Sequence, residues 1–190
     1  MSRPFRKLTL DVHSVETTLP WLKLFEWQRM ASGDARLVIT VPQDAPELFR
    51  ALAKRLAPPI FLLYVLHTPR GEGARGRYQS PRLDSSQVEG FLTDFTAFLA
   101  GDGRHDLWVH SSTDGRTLIW DRHDLIFAEG QPLEDLAVAL EEMGFHSGVV
   151  PRAGEGDHIH YYRPEFDREA AAILARFDWS RSDLRPEDEQ

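Results

Sequence analysis

The chain has no cysteine among its 190 residues. That excludes disulfides, thiolate nucleophiles, Cys-ligated zinc and iron–sulfur clusters together. Asparagine is also absent, so there is no acceptor for N-glycosylation. Lysine occurs only at Lys7, Lys23 and Lys54, with arginine supplying the rest of the positive charge. This usage reads as the GC-rich coding bias of a bacterial source. Long apolar runs are missing too: the most apolar stretch, Ile60 to Leu66, falls far short of the roughly 20 residues needed to cross a bilayer. Arg3, Arg6 and Lys7 precede a segment broken by Asp11 and His13, unlike the continuous apolar region of a secretory signal. A cytoplasmic protein without a membrane span is therefore expected.

Several chemical signatures are lacking as well. No Gly-x-x-x-x-Gly-Lys, His-Glu-x-x-His or calcium loop occurs. Ser147 lies between His146 and Gly148 but lacks the leading glycine of a nucleophile elbow. These motifs are fixed by geometry, so their absence disfavours motif-defined kinases, hydrolases and metalloproteases. An enzyme assembled from scattered residues stays open.

What is present is ordinary globular material, 42% hydrophobic and 27% charged. A chain this long buries about 70% of the surface its unfolded form exposes, enough for a core without staples. The net charge of −8 repels phosphate backbones and favours basic partners, so nucleic acid is not expected.

Hydrophobic spacing gives a coarse map. Leu8, Leu10 and Val12 alternate as a strand, and Thr17 or Thr18 is placed to cap a helix through Trp21, Leu22 and Phe25 toward Met30. Arg36 to Val41 and Ile60 to His67 read as buried strands. Between them, Asp44 and Glu47 have capping-box spacing ahead of Leu48, Leu52 and Leu56, and Pro58-Pro59 ends the helix. Ser86 and Glu89 suggest a second box before Val88, Phe91, Leu92, Phe95, Phe98 and Leu99. Asp106 to His110, Arg116 to Asp121 and Asp124 to Ala128 form a meander. A helix from Pro132 to Gly144, strands at Val149-Val150 and Asp157 to Tyr162, and a helix after Pro164 complete the order. The pattern predicts an α+β fold, a mostly antiparallel sheet with helices packed on it, as a single domain over residues 1–179. Residues 180–190 read as a charged, mobile tail. A doubly wound α/β sheet is the alternative.

Four groups of residues could carry function. Gly71-Glu-Gly-Ala-Arg-Gly76 matches the dinucleotide-binding pattern, but Arg77-Tyr78-Gln79-Ser80-Pro81 follows, which is no start for the required helix; Pro69 to Arg82 reads as a loop that could return as a short strand at Arg77 to Gln79. Arg70, Arg75, Arg77 and Arg82 could still hold an anion, unless they merely solvate a loop. His158 and His160, two apart on a strand, share a face and could chelate zinc or another divalent metal. The third ligand is open, with His13, His110, His123, His146 and Glu155 eligible by type and Asp157 pointing away. The bland alternative puts both imidazoles on the solvent face with Ile159 packed inward.

Asp121, His123 and Asp124 resemble an acid/base cluster, although turn chemistry alone also collects such residues. His67 and His110 read as structural, hydrogen-bonded histidines. Of the five tryptophans, Trp27 and Trp179 lie near element ends and are the first candidates for protein-binding anchors. The leading expectation is a non-enzymatic, acidic protein-binding module of inhibitor or immunity type, with no cofactor. The rival is a metal-dependent or small-molecule-binding enzyme using His158 and His160.

Overall fold

The computed structural model describes residues 6–12, 15–17, 22–41, 45–152 and 158–189. In chain order the elements are β1 (Leu8–Val12), β2 (Val15–Thr17), β3 (Leu24–Arg29), β4 (Ala35–Thr40), α1 (Ala45–Ala53), β5 (Ile60–Leu66), β6 (Gly76–Gln79), α2 (Ser85–Asp94) and α3 (Thr96–Gly101). They continue with β7 (His105–Ser111), β8 (Thr117–Trp120), β9 (Leu125–Glu129), α4 (Glu134–Glu142), β10 (His146–Ser147), β11 (His158–His160), α5 (Asp167–Arg176) and β12 (Ser180–Ser182).

Nine strands form one sheet in the order β10-β3-β4-β9-β8-β7-β5-β6-β12, and a smaller sheet has the order β11-β1-β2. Within these sheets only the β10–β3 pair is parallel. The fold is accordingly α+β, and the doubly wound alternative, which needs parallel strands, does not occur.

Period-two alternation sorts the large sheet into two faces. Along β7, His105, Leu107, Val109 and Ser111 are buried while Asp106, Trp108 and His110 are half-exposed. Leu107 and Val109 join Leu62 and Tyr64 of β5, Leu118 and Trp120 of β8, and residues of all five helices in one core. Phe49 of α1 reaches the Trp120 ring at 5.5 Å between centroids. The opposite face carries no α-helix residue in its buried cluster, which consists of Val38, Leu125 and Val150. That difference leaves room for grooves.

Several local expectations change. The helix expected from Thr17 to Met30 is replaced by β2 and β3; Thr18 and Trp21 lie outside the described residues. Phe25 packs inward while its neighbours are half-exposed, so pairing with β4 exploits an alternation that helical spacing had masked. The cap of α2 is Asp84, not Ser86: its carboxylate accepts the Gln87 N–H at 2.9 Å, and Gln87 Oε1 accepts the Asp84 N–H at 3.0 Å. The expected continuous helix divides at Phe95, where the Thr96 hydroxyl donates to the Leu92 carbonyl at 2.8 Å. Val149-Val150 forms no strand; His146–Ser147 pairs with β3 instead. Asp44 lies outside the described residues.

Where a mobile tail is expected, Ser180–Ser182 adds an edge strand to β6. A 3-10 turn over Pro186–Glu189 follows. Asp188 is buried there and pairs with Arg77. No helix among the described residues is long and apolar enough to cross a membrane.

Candidate functional site

The site starts at Lys7, immediately before β1. Its backbone N–H donates to Asp124 Oδ2 at 3.0 Å, and its fully buried ammonium donates to the Asp121 carbonyl at 2.9 Å. The ammonium also sits 4.6 Å above the Trp120 ring. These contacts fix β1 against the β8–β9 turn. On its other side β1 pairs with β11, Leu8 opposite His160 and Leu10 opposite His158. Strand pairing and the Lys7 tether thus carry two histidines from late in the chain to the turn that holds His123.

His123, His158 and His160 converge. Each offers a ring nitrogen, and these atoms lie within 4.8 Å of one another. The ring centroids are 5.0 Å apart for His123 and His158, 5.2 Å for His123 and His160, and 4.8 Å for His158 and His160. Zinc–imidazole bonds of about 2.0–2.1 Å set tetrahedral nitrogens roughly 3.4 Å apart. A pair at the wider limit of 4.8 Å would close by roughly 1.4 Å through side-chain rotation, within reach of half-buried imidazoles.

The chemistry of the three rings suits a cation. Burial, followed by the charges of His123, His158, Arg122 and Lys7, presses His160 down to about 3, so it is a neutral imidazole near neutral pH. Its Nδ1 is buried without a hydrogen-bond partner. Gly103 faces this ring: a Cβ there would lie 3.0 Å from His160 Nδ1 and 2.6 Å from the Lys7 carbonyl oxygen. Glycine is needed for that approach.

His123 is oriented by Asp121, whose Oδ2 lies 3.2 Å from His123 Nδ1. The other carboxylate oxygen accepts the backbone N–H groups of His123 at 3.0 Å and Leu125 at 2.8 Å. One aspartate therefore shapes the turn and aims the imidazole, combining the two readings of the Asp121–His123–Asp124 cluster. A carboxylate on the far nitrogen is the usual outer support of a metal-binding histidine. Asp124 adopts φ 58° and, through burial opposed by Lys7, is raised to about 6.

His123 opens onto a groove of about 350 Å³, which the C-terminal 3-10 turn borders through Glu187 and Asp188. Trp108 lines both this groove and a neighbouring one of about 390 Å³ bordered by Phe61, Leu63 and His110.

Other candidates fall elsewhere. Ile159 is 44% exposed, so the arrangement with Ile159 inward and both histidines in solvent is reversed: the imidazoles face His123. His110 bonds Thr117 Oγ1 at 2.9 Å and His67 bonds Asp106 at 2.9 Å, both acting structurally. His146 is exposed on β10, and His13, Glu155 and Asp157 lie outside the described residues.

The four arginines take separate surroundings. Arg70 pairs with Asp167 and Arg77 with Asp188. Arg82 borders Pro58 and Pro59, and the Arg75 carbonyl accepts from Arg181. After Gly76 the chain forms β6, as expected, rather than a phosphate-binding helix.

Trp27 is 41% exposed. Trp179 instead packs on the core, and its indole N–H donates to the Ile173 carbonyl at 2.9 Å. Lys7, Gly103 and Arg122 were not singled out by sequence reasoning, since none belongs to a motif. Comparison with protein-family models, curated proteins and solved structures finds no match to this chain.

Proposed function

We propose that this protein is a metal-dependent enzyme whose divalent ion, zinc in the first instance, is held by His123, His158 and His160. The observation that carries the reading is the convergence of three half-buried ring nitrogens within 4.8 Å, one of the rings already oriented by a carboxylate. Three imidazoles suit zinc and later first-row metals. They leave a fourth position for water, whose pKa a catalytic zinc lowers to about 7. The groove at His123 gives a substrate access to that position, and metal-assisted hydrolysis is the matching reaction class.

The inhibitor-type reading draws less support. Trp179 serves the core, and the carboxylates around the aromatic grooves are paired rather than presented as a bare acidic face. Trp27 alone keeps an exposed anchor.

Metal analysis and zinc titration of the untagged protein test the proposal. Wild type should take up zinc with one-to-one stoichiometry, and both His123→Ala and the His158→Ala/His160→Ala double variant should lose it while remaining folded by circular dichroism. Folded wild type that stays metal-free under zinc titration would overturn it.

A further inference from the structure

The groove beside His123 is rich in charge, but almost all of it is internally satisfied. Asp106 is bonded to His67 at 2.9 Å, Asp121 to His123 at 3.2 Å and Glu129 to Arg36 at 3.1 Å. Asp188 is paired with Arg77, and Glu187 with Arg185 at 3.6 Å. The exception is Arg122. Its backbone N–H donates to Asp106 Oδ1 at 2.7 Å, its guanidinium has no carboxylate partner among the described residues, and the residue lines the groove directly before His123 in the chain.

An arginine without a carboxylate presents a donor fork to an oxyanion. Each adjoining acid already has a partner of its own, so the Arg122 guanidinium is left for a ligand, and a dication on the histidines would add to the positive field beside it. A doubly charged oxyanion complements that combination better than a single carboxylate. Beyond this end the lining mixes apolar rings with charge, Arg36 lying 4.6 Å over the Phe127 ring and Arg77 5.4 Å over the Trp108 ring. Ile119 and Phe127 flank it, and Trp108 continues the surface toward Phe61 and Leu63.

We infer that the groove takes an organic phosphate monoester, its phosphoryl group between the metal and Arg122 and its aromatic or apolar body over Trp108. This rests on the metal reading above and names the substrate class for the same site. The reaction it prepares is hydrolysis: water adds to phosphorus, the ester P–O bond breaks, and a proton from the water goes to the departing oxygen.

Phenylphosphonate, which carries the dianion and the ring but cannot be hydrolysed, is the calorimetric probe. Zinc content is measured on the same samples. Zinc-loaded wild type should bind it, Arg122→Gln should weaken binding by at least about tenfold with zinc stoichiometry unchanged, and Arg122→Lys should recover part of the loss. Inorganic phosphate and benzoate should each bind more weakly, lacking the ring or the second charge.

Equal affinity in wild type and Arg122→Gln, or benzoate binding as tightly as phenylphosphonate, would overturn this inference and leave the metal site standing. Failure to retain zinc in wild type would remove the metal site itself. The two failures are therefore separable.

Discussion

Replacing His105 with phenylalanine should flatten the acid side of the stability profile. His105 is fully buried, stacked between Tyr64 at 5.2 Å and Phe98 at 4.7 Å, with neither ring nitrogen hydrogen-bonded. Burial, reinforced by the charges of Lys7, Arg104 and His67, holds it well below its ordinary 6.5. The folded protein therefore keeps the ring neutral in mild acid, whereas the unfolded chain takes up a proton near pH 6.5. Stability is highest above the unfolded value and falls with pH below it. Integrated from about pH 7 to about pH 5, that uptake costs on the order of 2 kcal/mol.

Urea midpoints of wild type and His105→Phe at those two pH values isolate the contribution, because other titrating groups cancel in the comparison. The variant should lose about 2 kcal/mol less stability over the interval. Its absolute stability near pH 7 should match or exceed wild type, since two unpartnered polar atoms leave the core at nearly constant shape. His105→Leu, smaller and equally non-titrating, should show the same flattened slope whatever its absolute stability. Identical slopes in wild type and both variants would refute the reasoning, meaning that His105 is protonated or solvated in the native state.

Two further outcomes follow from the contacts. Asp121→Asn keeps an oxygen for the His123 and Leu125 N–H groups but replaces the carboxylate beside His123 Nδ1; zinc affinity should fall by about 10–100-fold without loss of fold, and unchanged affinity by competition titration would remove Asp121 as the orienting group. Asp188→Ala leaves the largely buried Arg77 without its carboxylate. It should cost about 3 kcal/mol or more by urea denaturation, while Arg77→Met/Asp188→Ala recovers most of that loss; an unchanged midpoint in the single variant would show that the C-terminal turn contributes nothing.

Elements bounded by strong local chemistry were legible in the sequence. Ile60 to Leu66 is β-branched and aromatic between prolines and glycines, and becomes β5. The three meander strands emerge within a residue or two of their expected bounds. Errors arose where one string satisfied two patterns. Phe25 and Leu22 fit a helical face, yet Leu24–Arg29 also alternates, and only the partner strand β4 decides between them. Ser86 with Glu89 and Asp84 with Gln87 both have capping spacing, and the helix begins at the earlier pair. The C-terminal segment offered almost no apolar material, so the docking of Ser180–Ser182 through main-chain pairing and of Asp188 through a buried ion pair left no periodic trace.

The candidate site divides along the same line. Two of its histidines were visible as a pair because strand period alone puts His158 and His160 on one face. The third was visible only as a residue type. Proximity of His123 depends on β11 pairing with β1, and on Lys7 holding β1 to the β8–β9 turn through two hydrogen bonds that reach more than a hundred residues along the chain. Neither contact has a period or a motif. A buried lysine is unfavourable by itself, and Lys7 is retained where Asp124 and the Asp121 carbonyl meet it. The tether consequently joins the two halves of the histidine cluster at a point where sequence hydrophobicity would have placed an apolar side chain.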